Sequence, residues 1–235
     1  MKRTLTLIFG VSCLLVALSF AEDEIPQRIQ VTHTEHADLP AGGTLRLTNS
    51  TGDVTIEGWD QPGVEITTIK STKLAYTKAE PKREKASADL DAVKVTVTSQ
   101  GGDVVVATTF PRGRRYLPRP SVGARDFNLE YRIKVPRAAN IIVDNDSGEI
   151  HFDDLTGDIH ATTHQGAITL RLQPTDQYAI DAKSTIGNVI SDFAGATTRH
   201  KFGHDFTAPQ APHKLYLRTG YGDIIIQKKR KPAAL

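Results

Sequence analysis

Residues 141–172 have the sequence IIVDNDSGEIHFDDLTGDIHATTHQGAITLRL, and this stretch decides the fold class. Glycine recurs in it every nine residues, at Gly148, Gly157 and Gly166. After each glycine, small or apolar side chains such as Ile150 alternate with polar ones. Alternation with a period of two is typical of a strand with one buried face, and glycine suits turns that need a positive φ. The stretch therefore predicts a ladder of short strands joined by glycine turns.

The same register extends beyond this stretch in both directions. Relative to the glycine, positions −7 and −5 are apolar or alanine, position −3 is small and polar, and positions +2 and +4 are mostly apolar. The glycines that share the register are Gly52, Gly102, Gly148, Gly157, Gly166, Gly187 and Gly222. Such a repeat predicts an all-β fold, a single-stranded β-solenoid or β-helix-like array with a more sheet-like N-terminal part. An antiparallel sandwich is the alternative, because it also has strands every 8–12 residues or so.

The residue after the glycine is acidic in five of these seven units. The five are Asp53, Asp103, Glu149, Asp158 and Asp223. A row of calcium ligands is one interpretation, but calcium-binding repeats carry a richer GGxGxD pattern that this chain lacks. A solvent-facing turn residue that accepts hydrogen bonds from the local backbone is the favoured interpretation. We predict no metal and no cofactor.

Two histidine patterns invite comparison with known sites. His200, His204 and the adjacent Asp205 have the spacing of zinc ligands on a helix, but the surrounding glycine, threonine and proline residues indicate a loop. His151 and His160 occupy the same place in successive units, so we expect them to stack on each other. Neither pattern changes the prediction that the chain holds no metal.

The first residues of the chain, MKRTLTLIFGVSCLLVALSFAEDE, have the form of a secretory signal peptide with cleavage after Ala21. The only cysteine, Cys13, lies inside this segment, so a mature chain would contain neither thiol nor disulfide. We therefore expect an exported bacterial protein, located in the periplasm, on the cell surface or outside the cell. A retained N-terminal anchor is the alternative.

Charge and composition indicate which partners and which segments to expect. Loss of two of the 29 basic residues with the signal peptide leaves 27, equal to the 27 acids, so we expect no binding to nucleic acid through general charge. The expected segments are a signal peptide over 1–21, an N-terminal arm over 22–40, a strand-repeat domain over 41–228 with insertions at 73–92 and 107–127, and a basic tail over 229–235. Contact of the basic tail with an anionic membrane surface is a further option.

Candidate ligand-binding residues lie in two places. Basic and aromatic side chains are interleaved in the 107–127 insertion, and on a loop this combination can bind phosphate, an acidic glycan or nucleic acid. The candidates there are Arg112, Arg114, Arg115, Tyr116 and Arg119. A long solvated insertion is the alternative interpretation. The second candidate is Trp59, the only tryptophan, which would either stack on a sugar ring or close one end of the core.

Two segments of the chain resemble a known family. They are VKVTVTSQGGDVVVATTFP (93–111) and FNLEYRIKVPRAANIIVDNDSGEIHFDDLTGDIHATTHQGAITL (127–170), and they are similar to the bacterial putative-adhesin β-strand-repeat family. Val135-Pro136 and the units SGEI and TGDI that follow are the most specific pieces. The resemblance spans roughly residues 40–230. It implies an exported, β-rich, solenoid-like domain of unknown function in the bacterial envelope, with no assigned catalytic residues.

Three functions fit these observations. We expect a non-enzymatic envelope protein, an adhesin-like binding or structural module for a protein or glycan. The second is an enzyme acting on an acidic polysaccharide, for which the candidate acids would be Asp144, Asp146, Asp153 and Asp154. The third is a periplasmic structural or signalling partner. The sequence does not predict the oligomeric state.

Overall fold

A computed structural model describes residues 25–49, 51–110, 127–174 and 177–229. In this part of the chain, seventeen strands and one short helix are formed, which confirms the all-β prediction. The elements are β1 (Gln27–Ala37), β2 (Thr44–Asn49), β3 (Asp53–Trp59), β4 (Val64–Tyr76), α1 (Pro81–Asp91), β5 (Lys94–Gln100), β6 (Asp103–Thr109), β7 (Phe127–Pro136), β8 (Asn140–Ser147), β9 (Ile150–Asp153), β10 (Ile159–Gln165), β11 (Ile168–Leu172), β12 (Tyr178–Ile186), β13 (Val189–Ser191), β14 (Ala196–Arg199), β15 (His204–Thr207), β16 (His213–Tyr221) and β17 (Ile224–Lys228).

The strands form two mixed sheets that share one apolar core. The eight-stranded sheet has the order β1-β4-β7-β3-β9-β11-β17-β13, and the nine-stranded sheet has the order β14-β15-β12-β16-β10-β8-β2-β6-β5. Alternate residues of each strand enter the core: Leu45 and Leu47 of β2 and Val54 and Ile56 of β3 are fully buried. The period-two pattern of the sequence thus corresponds to one core-facing side of each strand.

The repeating unit is a coil made of two consecutive strands. The first strand lies in the nine-stranded sheet, a glycine arch follows, and the second strand lies in the eight-stranded sheet. There are five such coils in the described residues: β2/β3, β8/β9, β10/β11, β12/β13 and β16/β17. Adjacent coils pair in parallel in both sheets and in the same register. The pair β6/β7 lies beside β2/β3 in both sheets and extends the stack.

The coils do not stack in the order of the chain. Along the molecule the order is β6/β7, β2/β3, β8/β9, β10/β11, β16/β17 and β12/β13, so the last coil lies between two earlier ones. Antiparallel strands flank the parallel centre, with β4 against β7, β5 against β6 and β15 against β12. The predicted solenoid is therefore found only in part: the coils share a register, but they form two open mixed sheets and not a sequential helix.

The repeat is longer than the nine-residue spacing of the glycines suggests. Gly148 and Gly166 form the arches of adjacent coils, with φ of 130° and 143°. Gly157, midway between them, lies in the return connection from β9 to β10, where a Cβ atom would overlap the carbonyl oxygen of Ala139. Gly102 belongs to the β5–β6 hairpin within one sheet. Gly102 and Gly157 therefore occupy kinds of turn other than the arch, and the hairpin at Gly102 agrees with the two alternating runs that the Gly101-Gly102 pair separates in the sequence.

The arch glycines form a column across the stack. In spatial order they are Gly52, Gly148, Gly166, Gly222 and Gly187, with φ between 128° and 144°. Polar side chains three residues earlier lie buried beneath the arches, and three of the five, those of Asn145, Ser184 and Thr219, donate to glycine carbonyl oxygens. Asn145 Nδ2 donates to Gly52 at 3.1 Å, and Ser184 Oγ donates to Gly222 at 2.7 Å. These bonds explain why position −3 is small and polar, since a buried carbonyl group needs a donor.

The carboxylates that follow the glycines also have a structural role. Asp53 Oδ1 accepts a hydrogen bond from the backbone N of Glu149 at 2.9 Å, and Asp223 Oδ1 accepts one from the backbone N of Asn188 at 2.7 Å. The partner is in each case the backbone of the adjacent coil rather than the local backbone expected from sequence. No group of three or more histidine, cysteine, aspartate or glutamate side chains placed to hold a metal ion occurs within the described ranges.

The expected arm and the first insertion both contain regular structure. Strand β1 lies within the expected 22–40 arm and pairs antiparallel with β4 as an edge of the eight-stranded sheet. Helix α1 lies within the 73–92 insertion and buries Leu90. Lys70 Nζ donates to the carbonyl oxygens of Leu90 and Val93, both at 3.1 Å, and so holds the end of the helix on β4. Within the described ranges, no helix combines the length and the apolar character needed to cross a membrane.

Candidate ligand-binding groove

A groove of about 580 Å³ lies at the edge of the molecule where β1, β4 and β5 come together. We call it the Trp59 groove. The side chains that give it chemical character are those of Glu35, His36, Asp38, Trp59, Gln61 and Glu65. Its other wall comes from β5, through Val97 and Ser99. Among the residues described, neither lysine nor arginine lines the groove, so its fixed charge is negative.

Trp59 is held in place by a hydrogen bond to its own turn. It is the last residue of β3, and its indole Nε1 donates to the carbonyl oxygen of Gly63 at 3.2 Å. Lys134 Nζ lies 5.8 Å from the centre of the ring, within cation–π range. The ring is half-buried and lies outside the buried core cluster. Because the N–H group is already used inside the protein, the surface that Trp59 offers to a ligand is carbon.

Three carboxylates at the groove differ in their partners. Glu65 pairs with Lys134 at 3.0 Å, and Glu35 pairs with His33 at 3.3 Å. Asp38 is exposed. The adjacent strands β1 and β4 bring these acids together, since their register places His36 opposite Glu65. The groove therefore receives carboxylates from β1, from the residue that follows it and from β4.

An ionic network lies directly beside Trp59 and fixes the end of the coil stack. Arg137 contacts Asp60 through Nε at 2.7 Å and Nη2 at 3.3 Å, and its Nη1 lies 3.4 Å from a carboxylate oxygen of Asp154. Lys229 pairs with Asp154 and, at 3.3 Å, with Asp153. The network joins the turn after β3 to three other connections, those after β7, β9 and β17.

The network shifts the ionisation of its members. The hydrogen bond from Arg137, together with its charge, holds the pKa of Asp60 below its ordinary value. Burial opposes ionisation of Asp154, but the bonds and charges of Lys229, Gln173 and Arg137 outweigh it and leave the pKa of Asp154 lowered. Both acids are therefore charged at neutral pH and act as fixed anchors.

Most of the ligand candidates predicted from sequence fall outside the described residues. These are Arg112, Arg114, Arg115, Tyr116 and Arg119, and the signal cleavage site at Ala21 is also outside. Trp59 is the candidate that the structure places at a groove. The carboxylates of the groove were missed, because Glu35 and Asp38 belong to β1 and the residue after it, Glu65 belongs to β4, and the three show no joint pattern in the sequence. Only knowledge of the pairing of β1 with β4 would have identified these carboxylates.

The acids considered for an enzyme lie in two separate places. Asp144 and Asp146 are on β8 near the arches, where they line a different groove with His164. Asp153 is the last residue of β9 and Asp154 follows it, so both lie at the opposite end of the coil. There they take part in the ionic network beside Trp59. The four side chains therefore do not converge on one site.

The histidine pairs also differ from the prediction. His151 is in the eight-stranded sheet and His160 in the nine-stranded sheet, so they do not stack on each other. His160 instead stacks on Tyr216, with 4.4 Å between ring centres. The error follows from the nine-residue spacing, which places successive strands in alternate sheets.

Comparison with known proteins places the chain in a family. A family model described as Toastrack DUF4097 matches residues 28–227. A crystal structure described as a putative cell adhesion protein from Clostridium sporogenes ATCC 15579 is similar, with 13% identity and a TM-score of 0.47 over 85% of this chain and 100% of that one. A structure described as a putative adhesin from Bacteroides fragilis NCTC 9343 is similar over 85% and 97%, with 8% identity and a TM-score of 0.26. No curated protein matches the chain.

Proposed function

The chain belongs to the Toastrack DUF4097 family, and we propose that it is a non-enzymatic binding module of the bacterial envelope. Its ligand is a neutral glycan, bound in the Trp59 groove. Export follows from the signal-like segment at residues 1–21. The family assignment supports the β-rich scaffold, and the groove supports the choice of ligand.

The observation that carries the proposal is the combination of Trp59 with carboxylate acceptors. A sugar ring has C–H faces that pack on an aromatic ring and hydroxyl groups that donate to carboxylates. Trp59 offers ring carbon, since its N–H group is bonded to Gly63. Asp38 and Glu65 offer acceptor oxygens at the groove, and Glu65 lies on the same face of the sheet as Trp59. An apolar surface with a few oriented polar groups is the usual composition of a small-molecule site.

The charge of the groove selects among glycans. Lys134 balances the charge of Glu65, but Glu35 and Asp38 have no lysine or arginine partner in the described residues, so the net charge of the groove is negative and disfavours an anionic polysaccharide. A neutral glycan meets no such repulsion, and it supplies the donors that the carboxylates need. A cationic peptide would also be attracted, and it is the competing ligand in the test below.

The pairing of the carboxylates favours binding over catalysis. Glu65 and Glu35 are each paired with a basic side chain, Lys134 and His33. A carboxylate that is already bonded to a basic side chain is held in one orientation, which suits a hydrogen-bond acceptor for a ligand. We therefore assign these side chains to ligand orientation.

Binding to an immobilised panel of neutral, acidic and amino-sugar glycans, with lysine-rich peptides included, tests the proposal. Trp59→Ala should weaken binding of a neutral glycan by about tenfold or more, and Asp38→Asn by several-fold. Asp146→Asn is the matched control, because Asp146 is also an exposed aspartate but lies on β8 outside this groove. Binding of peptides alone, or binding unaffected by Trp59→Ala, would overturn the proposal.

Export is tested separately by protease shaving of intact cells followed by detection of the protein. Loss of the protein, with a periplasmic marker intact, is the result expected for a module that meets glycans outside the cell. Full protection after fractionation into the periplasm would instead favour the alternative of a periplasmic structural or signalling partner. Recovery in the cytosol with residues 1–21 retained would contradict export.

A further inference from the structure

Three large apolar side chains are exposed together at the arch end of the stack. Ile186 of β12 and Tyr221 of β16 are neighbours in the parallel pairing, and 41% and 52% of their surfaces are exposed. Phe202 lies in the turn between β14 and β15 and is 64% exposed. Its carbonyl oxygen accepts a hydrogen bond from the backbone N of Gly187 at 3.1 Å, which places it beside Ile186. We call Ile186, Phe202 and Tyr221 the Phe202 patch.

The turn that presents Phe202 is firmly held. The backbone N of His200 donates to the carbonyl oxygen of Gly203 at 2.8 Å, and His204 Nδ1 lies 3.1 Å from the carbonyl oxygen of Gly187. Gly203 packs so closely on β12 that a Cβ atom would overlap the carbonyl oxygen of Ser184. An exposed aromatic side chain on a well-bonded turn is costly to leave in water, and such patches commonly mark interaction surfaces.

Basic side chains flank the turn that carries Phe202, while the nearby Asp223 accepts hydrogen bonds from the backbone and side chain of Asn188. Arg199 and Lys201 flank the turn and are exposed, and Lys201 Nζ lies 5.0 Å from the centre of the Phe202 ring. The nearest acid on the same hairpin, Asp205, is paired with His200 at 2.9 Å and with Lys183 at 3.5 Å. These pairs leave the charges of Arg199 and Lys201 available to an anionic partner.

We infer that the Phe202 patch docks on an anionic lipid bilayer. Aromatic side chains favour the boundary between headgroups and acyl chains, and flanking lysine and arginine side chains are attracted to anionic headgroups. The patch is small and projects from a turn, which suits shallow insertion into a flat surface. A symmetric contact with a second copy would place Arg199 and Lys201 close to the same residues of the partner, and this repulsion opposes it.

The inference is independent of the proposed glycan site. The Phe202 patch lies on the last two coils of the stack at the arch end, whereas Trp59 ends β3 at the opposite end of a coil near the other side of the stack. A ligand in the Trp59 groove and a membrane at the Phe202 patch therefore do not compete for the same surface.

Co-sedimentation of the full chain with phosphatidylcholine vesicles, with and without phosphatidylglycerol, tests this inference. Phe202→Ser should weaken binding to the phosphatidylglycerol vesicles by about tenfold, and the double change of Arg199→Gln with Lys201→Gln should remove the preference for the anionic lipid. Leu74→Ser is the matched control, because Leu74 is 61% exposed on β4 and lies away from the patch. That variant should bind like the unmodified protein.

Fluorescence gives a second measurement that does not depend on the affinity. In a double variant, Trp59→Phe removes the native tryptophan fluorescence and Phe202→Trp introduces the only tryptophan at the Phe202 patch. Its emission should shift to shorter wavelength with phosphatidylglycerol vesicles and remain unchanged with phosphatidylcholine alone. Equal binding of Phe202→Ser and the unmodified protein would overturn the inference and assign vesicle binding to another segment, such as residues 1–21. A change in solution mass with Phe202→Ser would assign the patch to self-association.

Discussion

Two requirements exclude every residue except glycine from the arch positions. At Gly148, φ is 130°, a conformation that is strained for any residue with a side chain. A Cβ atom at this position would also overlap the carbonyl oxygen of Gly52 in the adjacent coil. The second requirement arises only because the arches are stacked, since an isolated turn would leave the same space open. The closeness of adjacent coils therefore depends on glycine at every arch.

Replacement of one arch glycine should destabilise the protein more than replacement of a hairpin glycine. We expect Gly148→Ala to lower the free energy of unfolding by about 3 kcal/mol, through strain and overlap together. Gly101→Ala, with φ of 62° and open space around the position, should cost only about 1 kcal/mol. Urea unfolding of both variants measures the difference. Equal losses would show that stacking of the arches adds no constraint.

Local residue types predicted the turns but not their partners. Glycine flanked by alternating apolar residues indicated a strand, a turn and another strand, and this is found at Gly52, Gly148 and Gly166. The same pattern surrounds Gly102, where both strands stay in one sheet. The Gly101-Gly102 pair between two alternating runs indicates the hairpin, but a single sequence does not show which coils pair with one another.

At the scale of elements, an ionic network joins the connections at the end of the coils opposite the arches. Asp154, with φ of 56°, contacts Lys229, Gln173 and Arg137, which come from three other connections. The lowered pKa of Asp154 means that its charged form is stabilised by folding. The resulting stability is present above the ordinary pKa of aspartate, near 4, and is lost as the pH falls below it through the folded value.

The Asp154→Asn variant should reveal this contribution. At pH 7 we expect it to be less stable by roughly 1–2 kcal/mol, because Lys229 and Arg137 lose a charged acceptor. The difference should shrink as the pH falls below about 4, where the unmodified carboxylate also becomes neutral. Urea midpoints measured at pH 7, 4.5 and 3 test this. A difference that stays constant over this range would show that the charge of Asp154 contributes nothing to stability.

Only part of the Trp59 groove was predictable from the sequence. Trp59 stood out because it is the only tryptophan and follows a strand. Its carboxylate neighbours became visible only with the antiparallel pairing of β1 and β4, which places distant residues side by side. The periodic pattern predicts which side chains face the core, but exposed positions on an edge strand have no periodic signal.

The whole molecule is organised by the position of its last coil. Strands β16 and β17 insert between β10/β11 and β12/β13. In the described residues, β12 and β13 therefore pair in parallel with β16 and β17, and not with the coil that precedes them in the chain. Each coil presents similar aliphatic rows and the same register, so either stacking order would bury equivalent surfaces. The insertion was therefore not predictable from the apolar pattern.

Truncation should distinguish this arrangement from a sequential solenoid. Removal of residues 213–235 takes away the fully buried Leu217, Ile224 and Ile226 and separates β12/β13 from the rest. These side chains alone contribute roughly 5–9 kcal/mol, comparable with the total stability of a typical domain of about 5–15 kcal/mol. We expect the shortened chain to lose cooperative thermal unfolding, measured by circular dichroism.

A deletion of residues 1–38 is the control for this truncation. It removes β1, an edge strand whose one pairing partner in the sheet is β4, so the remaining chain should still unfold cooperatively. Retention of a cooperative transition after removal of residues 213–235 would contradict the inserted position of the last coil.

The central claim, that the Trp59 groove binds a neutral glycan, is tested most directly by nuclear magnetic resonance. The chain has one tryptophan and therefore one indole N–H signal in a ¹H–¹⁵N spectrum, and this group is bonded to Gly63 at the groove. During titration with a glycan that the protein retains, we predict progressive shifts of the indole signal and of the Gly63 and Glu65 amides, with the arch amides of Gly148 and Gly166 unchanged. Shifts confined to the arches, or an indole signal that stays in place at saturation, would contradict the claim.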